Sequence, residues 1–200
     1  MLEKAFAISP HDNVHAPFIL RRMKGDRLAI MDEYESLVCK KCRKVNERAA
    51  FTQGIQRDVV VRSKRPFLIS MDDFYMLDER AKQVFSALFP EEIEYYPIPS
   101  GAFWVATPKI WMEPDETNPG FRFASPRCTG CGRVGEAVWG KEPLVVAERK
   151  RLFAINLESV LGARAIWVVF SEVAATLKEI TPPLTGMVLS PKQVNVTGPV

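Results

Sequence analysis

Apolar and polar positions along this chain switch period in a way that sketches its elements. Two segments repeat apolar residues at helical spacing, Ala81, Val84, Phe85 and Leu88 in one, Val173, Ala174 and Leu177 in the other. Each begins at a residue suited to cap a helix, Asp78 or Ser171, and puts a glutamate in the first turn, where the helix dipole favours negative charge. Each is entered from an apolar stretch, Phe74–Leu77 or Ile166–Phe170. Each leads into a segment that reads as a strand closing on proline, Ile93–Pro97 or Met187–Pro191. The step from Asp78 to Pro97 is 19 positions and that from Ser171 to Pro191 is 20, so the chain reads as a repeated strand–helix–strand unit.

The remaining pattern is sparser. Leu28–Met31 predicts a short strand, Arg57–Arg62 a β-branched strand with charged ends, and Phe67–Ser70 an element entered through Pro66. Ala16-Pro17 interrupts any early helix, and the first 38 residues carry a mixed pattern. Thr107-Pro108, Glu113-Pro114 and Asn118-Pro119-Gly120 punctuate a loop-rich stretch. The expected fold is α+β, one domain over residues 1–200 made of two similar halves, about 57–125 and 140–200.

With 200 residues, 47% of them hydrophobic, the chain can bury a real core. It has no apolar run of about 18 residues, which predicts no membrane span. Its first ten residues lack the apolar stretch of a secretory signal. Four cysteines are too few for a disulfide-dense secreted scaffold, and together these features predict a cytoplasmic protein.

Net charge is only +3, yet residues 40–65 hold nine Lys/Arg against Glu47 and Asp58, while residues 70–120 hold ten acids against Arg80, Lys82 and Lys109. Such asymmetry marks candidate partner surfaces, or two stretches that the fold brings together.

The cysteines change the picture most. Cys39-x2-Cys42 and Cys128-x2-Cys131 are two CxxC pairs. Two intervening residues let a tight turn aim both sulfurs at one point, and two such knuckles complete a tetrahedral thiolate shell for zinc. Lys40, Lys41, Arg43, Lys44, Arg127 and Arg133 would offset part of that centre's negative charge. Gly130 and Gly132 suit the turn of the second knuckle, whereas the first has no glycine. The 85 residues between Cys42 and Cys128 mean that a shared metal would tie distant segments together. The same ligands would suit an iron–sulfur cluster, and a redox-active CxxC would need one pair at a helix N-terminus after a strand.

Catalytic chemistry is expected to be absent. The two histidines, His11 and His15, have helical i,i+4 spacing but sit between Pro10 and Pro17, where a stable helix is disfavoured. No nucleophile elbow, phosphate-binding loop or dinucleotide fingerprint occurs. Asp72-Asp73 and Glu91-Glu92 are adjacent pairs expected at solvated edges. Trp104, Trp111, Trp139 and Trp167 are expected in core or interface positions, without the basic interleaving of a base-stacking surface.

Cys128-Thr-Gly-Cys131-Gly132-Arg133, Trp139 and Glu142–Val146 resemble the second half of the double-CXXCG family of bacterial immunity proteins. Leu152-Phe153, Ser171-Glu172, Leu177-Lys178, Gly186 and Pro191 are similar to that family's C-terminal pattern, and Leu77–Ala81 with Glu94–Pro97 to the earlier half of related immunity families. The first motif, Cys39-Lys-Lys-Cys42-Arg43, departs from the pattern by lacking the trailing glycine. The resemblance implies a non-catalytic protein that binds and neutralises a cognate polymorphic toxin, with Cys39, Cys42, Cys128 and Cys131 as ligands of a structural zinc. The alternative expectation is a zinc-knuckle nucleic-acid binder using the basic 40–65 stretch.

Overall fold

The computed structural model describes residues 1–10, 16–56, 59–99, 101–112, 117–123, 125–133, 137–155 and 166–198. In chain order its strands and helices are β1 (Leu2–Pro10), β2 (Arg21–Lys24), β3 (Arg27–Ile30), α1 (Glu47–Gln53), β4 (Phe67–Ile69) and β5 (Tyr75–Asp78). There follow α2 (Glu79–Leu88), β6 (Ile93–Pro97), β7 (Phe103–Pro108), β8 (Trp111–Met112), β9 (Phe121–Phe123) and β10 (Ala137–Trp139). The chain ends with β11 (Leu144–Val146), β12 (Leu152–Ile155), β13 (Trp167–Phe170), α3 (Ser171–Glu179) and β14 (Met187–Val196). The architecture is α+β. No helix among the described residues is long and apolar enough to cross a membrane.

Two sheets dominate, one ordered β4-β5-β7-β6 and the other β11-β14-β1-β13-β12-β8. In the first, β7 pairs antiparallel with both β5 and β6, so β5, α2 and β6 form a split strand–helix–strand unit with β7 threaded between its strands. In the second, β1 pairs antiparallel with both β13 and β14 and occupies the same place around α3. The rows across the sheets correspond position by position. Phe67, Leu77, Trp104 and Pro97 form one row of the first sheet. Leu152, Val169, Phe6 and Pro191 form its counterpart in the second.

Both helices turn their apolar stripes into one core. Ala81 and Phe85 of α2 meet Val173, Ala174 and Leu177 of α3 there, along with Phe67, Tyr75, Leu77, Phe6 and Trp167. Tyr75 and Trp167, each four positions before the first residue of its helix, pack with ring centroids 4.5 Å apart. Such aromatic pairs add about 0.5–1.5 kcal/mol to their area burial. A second core gathers Tyr34, Phe51, Phe74, Met76 and Val105 on the other face of the first sheet, and a third lies under Phe121, Leu144 and Phe170.

Local chemistry explains the boundaries. Asp78 caps α2 as expected, its Oδ1 accepting from the Ala81 amide at 2.8 Å. Ser171 does not cap α3. The ladder with β1 extends to Phe170, so the helix leaves the strand directly, and the Ser171 hydroxyl instead donates to the Lys4 carbonyl at 2.8 Å. The last strand does not stop at Pro191 but continues to Val196. Proline is accommodated because β11 joins the far side of β14 only at Val194–Val196, leaving no ladder bond there for a missing N–H to break.

Two other expectations need correction. Val59–Val61 forms no strand, although Val59 is buried: β-branched side chains fit an apolar surface, but here no neighbouring strand offers their backbone a partner. Arg57 and Asp58 of that segment lie outside the described residues, as do Glu113-Pro114, His11 and His15. Asp72 is not a solvated edge. Its carboxylate accepts from the amides of Ile19 (3.0 Å) and Leu20 (2.8 Å) and from the Ser70 hydroxyl (2.7 Å), pinning the segment after β1 to the β4–β5 turn. Among the tryptophans, Trp167 is fully buried, whereas Trp104 is half-buried beneath the Lys82 ammonium, 4.1 Å from its ring centre. The fold brings the basic and acidic stretches together, with Arg48 3.8 Å from Glu94 and Phe51 packed on Phe74 and Tyr96.

Candidate metal centre

Each cysteine pair sits in a tight turn built by its own backbone. In the first, the Cys39 amide donates to the Lys44 carbonyl (2.9 Å) and the Arg43 amide to the Cys39 carbonyl (2.8 Å). In the second, the Cys128 amide donates to the Arg133 carbonyl (2.7 Å) and the Gly132 amide to the Cys128 carbonyl (2.8 Å). The two turns therefore share one hydrogen-bond pattern. The residue after the second cysteine is left-handed in both, Gly132 at φ 73° and Arg43 at φ 58°. Arginine accepts in the first turn a conformation that costs a residue with a Cβ about 1–2 kcal/mol, so the missing glycine alters the cost and not the geometry.

These turns bring all four expected residues together. The Sγ atoms of Cys39, Cys42, Cys128 and Cys131 lie within 4.8 Å of one another. Cys39 faces Cys128 at 3.9 Å and Cys42 faces Cys131 at 3.7 Å, with no disulfide among them. Four thiolates about 2.3 Å from a tetrahedral zinc would stand about 3.8 Å apart. The donor set thus fits a four-sulfur metal ion with shifts of about 1 Å or less.

The thiols are electrically unequal. Amides of Cys42 and Lys41 directed at Cys39 lower its pKa to about 6, and those of Gly130 and Cys131 lower that of Cys128. Burial, reinforced by the neighbouring sulfurs, pushes Cys42 up to about 12. Without a metal, negative charge settles on Cys39 while Cys42 keeps its proton. A divalent cation would take the place of such protons.

The approach of the knuckles is close. A Cβ on Gly130 would stand 3.2 Å from both the Cys39 sulfur and the Lys41 Cβ. The Lys41 ammonium donates to the Thr129 hydroxyl across the gap at 3.0 Å.

Arg133 makes the strongest link, and sequence reasoning assigned it only a share in charge balance. From the second knuckle it donates to the Val45 carbonyl (2.8 Å), the Glu47 carboxylate (2.9 Å) and the Lys44 carbonyl (3.3 Å) at the exit of the first. Arg133 is 9% exposed, and burial raises the pKa of Glu47 while Arg133 opposes that rise. This clasp crosses the same gap as the thiols through carbonyl and carboxylate oxygens. Against this chain, no family model, no curated protein and no solved structure gives a match.

Proposed function

We propose that this protein is a cytoplasmic, non-catalytic immunity protein that binds and neutralises a cognate bacterial toxin, and that its four cysteines hold one structural zinc. The observation that carries the reading is the convergence of Cys39, Cys42, Cys128 and Cys131, the residues on which the resemblance to the double-CXXCG family rests. Zinc suits a set of four sulfurs spaced as a tetrahedron, and four thiolates close its coordination shell to water. A reducing compartment would keep the thiols available.

In the same reading the chain is one domain made of two duplicated halves, each a knuckle followed by a four-stranded unit around one helix. The matched rows Phe67-Leu77-Trp104-Pro97 and Leu152-Val169-Phe6-Pro191 support it. So do the shared hydrogen bonds of the knuckles. The last strand of the second half would then be supplied by the N-terminus.

Co-expression is the test. The product of the neighbouring toxin-like gene should kill cells when expressed alone, spare cells that also express this chain, and copurify with it one to one. Undiminished killing in the presence of the chain would remove the reading. A nucleic-acid-binding role has one observation in its favour: Lys40, Lys41 and Arg48 line a groove beside the metal centre. It predicts a DNA or RNA mobility shift that weakens steeply with salt.

A further inference from the structure

The antiparallel pair β2 and β3 forms a hairpin beside the first knuckle, and a groove of about 860 Å3 separates the two. Lys24 and Arg21 from the hairpin and Arg43 and Lys44 from the knuckle contribute cations to its walls. Two acids, Asp32 and Glu35, also line it, but they are engaged by Arg22 and Arg43 respectively. Among the described residues, Arg21, Lys24 and Lys44 meet no carboxylate at ion-pair distance, so the side chains lining the groove carry a surplus of positive charge, part of it facing Glu47 and the Cys42 sulfur.

Its surface is also apolar. Ala29, Ile30 and Val38 contribute to the lining, and Leu28 reaches solvent at 43% exposure. Met23, opposite Leu28 in the hairpin register, is 56% exposed. A directly paired, solvent-facing Met and Leu beside a surplus of cations is a poor arrangement for solvent alone and a suitable one for a protein partner.

We infer that this groove receives an acidic, leucine-containing segment of a partner protein. Carboxylates would meet Arg21, Lys24 and Lys44 while the partner's apolar side chains cover Met23 and Leu28. A phosphate backbone matches the groove less well. Grooves for single-stranded nucleic acid set aromatic rings between their cations for bases to stack on, and this groove has no aromatic residue in its described lining. The inference rests on the reading of the chain as a partner-binding protein and names the chemistry of the partner.

The test uses the full-length zinc-loaded chain and a fluorescein-labelled twelve-residue peptide repeating Asp-Glu-Leu, followed by polarisation at low and physiological salt. A matching Lys-Arg-Leu peptide and a labelled single-stranded oligonucleotide serve as comparisons. The acidic peptide should bind, the basic one should not, and Lys24→Glu combined with Lys44→Glu should weaken binding by about tenfold. Met23→Gln with Leu28→Gln should weaken it at unchanged salt dependence, which keeps the test informative should the charge variant fold poorly. Equal binding by wild type and both variants would overturn the inference. So would an oligonucleotide that binds more tightly and loses its affinity in the charge variant, or a self-associated dimer that the charge variant dissolves. A toxin neutralised equally well by the double Glu variant would sink the inference while leaving the immunity reading intact.

Discussion

Replacing Arg133 with methionine isolates the contribution of the clasp, because methionine keeps much of the apolar stem while deleting every donor. The guanidinium serves three acceptors at 2.8–3.3 Å, one of them the Glu47 carboxylate, whose side chain is 18% exposed. Removing one partner of a buried ion pair costs about 3–5 kcal/mol, since the other charge is left in a poor solvent. The residual exposure of Glu47 places the expected loss near the lower end, about 3 kcal/mol. For a chain of this size that corresponds to a melting point lower by roughly 6–12 °C.

Urea denaturation with zinc in excess measures the loss while holding the metal contribution constant, and the same zinc stoichiometry in both proteins would show the thiols still converging. Glu47→Gln provides the second arm of a double-mutant cycle. The combined variant should lose less than the sum of the singles by about 1 kcal/mol or more, as for residues in direct contact. A loss below about 0.5 kcal/mol for Arg133→Met, the range of ordinary surface substitutions, would refute the claim that this side chain joins the knuckles.

Asp72→Ala removes the acceptor of two backbone amides and a hydroxyl and should cost about 2–3 kcal/mol in thermal melting, whereas an unchanged melting point would mean that the segment after β1 is held otherwise. Zinc uptake at neutral pH should release fewer protons than there are cysteines, because Cys39, with its pKa lowered to about 6, is already largely thiolate while Cys42, raised to about 12, must still give up its proton. Below pH 6 Cys39 also becomes protonated, so proton release should rise and affinity fall; calorimetry in buffers of different ionisation heats would expose the opposite trend or none. The proposed duplication predicts a tolerated circular permutant, since the Met1 ammonium already touches the Val196 carbonyl at 2.5 Å. Joining β14 to β1 by a short turn and opening the chain between Pro10 and Ala16 should preserve zinc content and melting behaviour, and an insoluble or metal-free product would count against it.

The parts of this fold legible in sequence are those whose causes are local. Helix α2 announces itself through Asp78, Glu79 and the spacing of its apolar stripe, and its cap forms as read. The cysteine turns are equally local, since two intervening residues fix where both sulfurs point. Strand β1 was hidden because Ala5-Phe6-Ala7-Ile8 is buried on both faces, which erases the alternation that marks a half-exposed strand. That four-residue apolar run between Lys4 and Ser9 was its only signal.

Ser171 misled for a tertiary reason, as its hydroxyl found the Lys4 carbonyl across the sheet before it could serve the helix. The partnership of Arg133 with Glu47 was illegible because it joins positions 86 residues apart, and nothing near either residue in sequence names the other. Asp72 looked like half of a charged pair until the amides of Ile19 and Leu20 supplied it with donors from another part of the chain.

The seat of β1 between β13 and β14 has a consequence for synthesis. The four strands from Phe67 to Pro108 are consecutive in the chain and can pair as soon as they leave the ribosome, by short-range contacts that form quickly. Strand β1 is made well before its two neighbours and must instead wait, with both hydrogen-bonding edges open, for β13 and β14 to be translated. Unpaired edges of that kind invite association with other chains. A nascent chain stalled before Trp167 is therefore the species most exposed to aggregation and most in need of a chaperone.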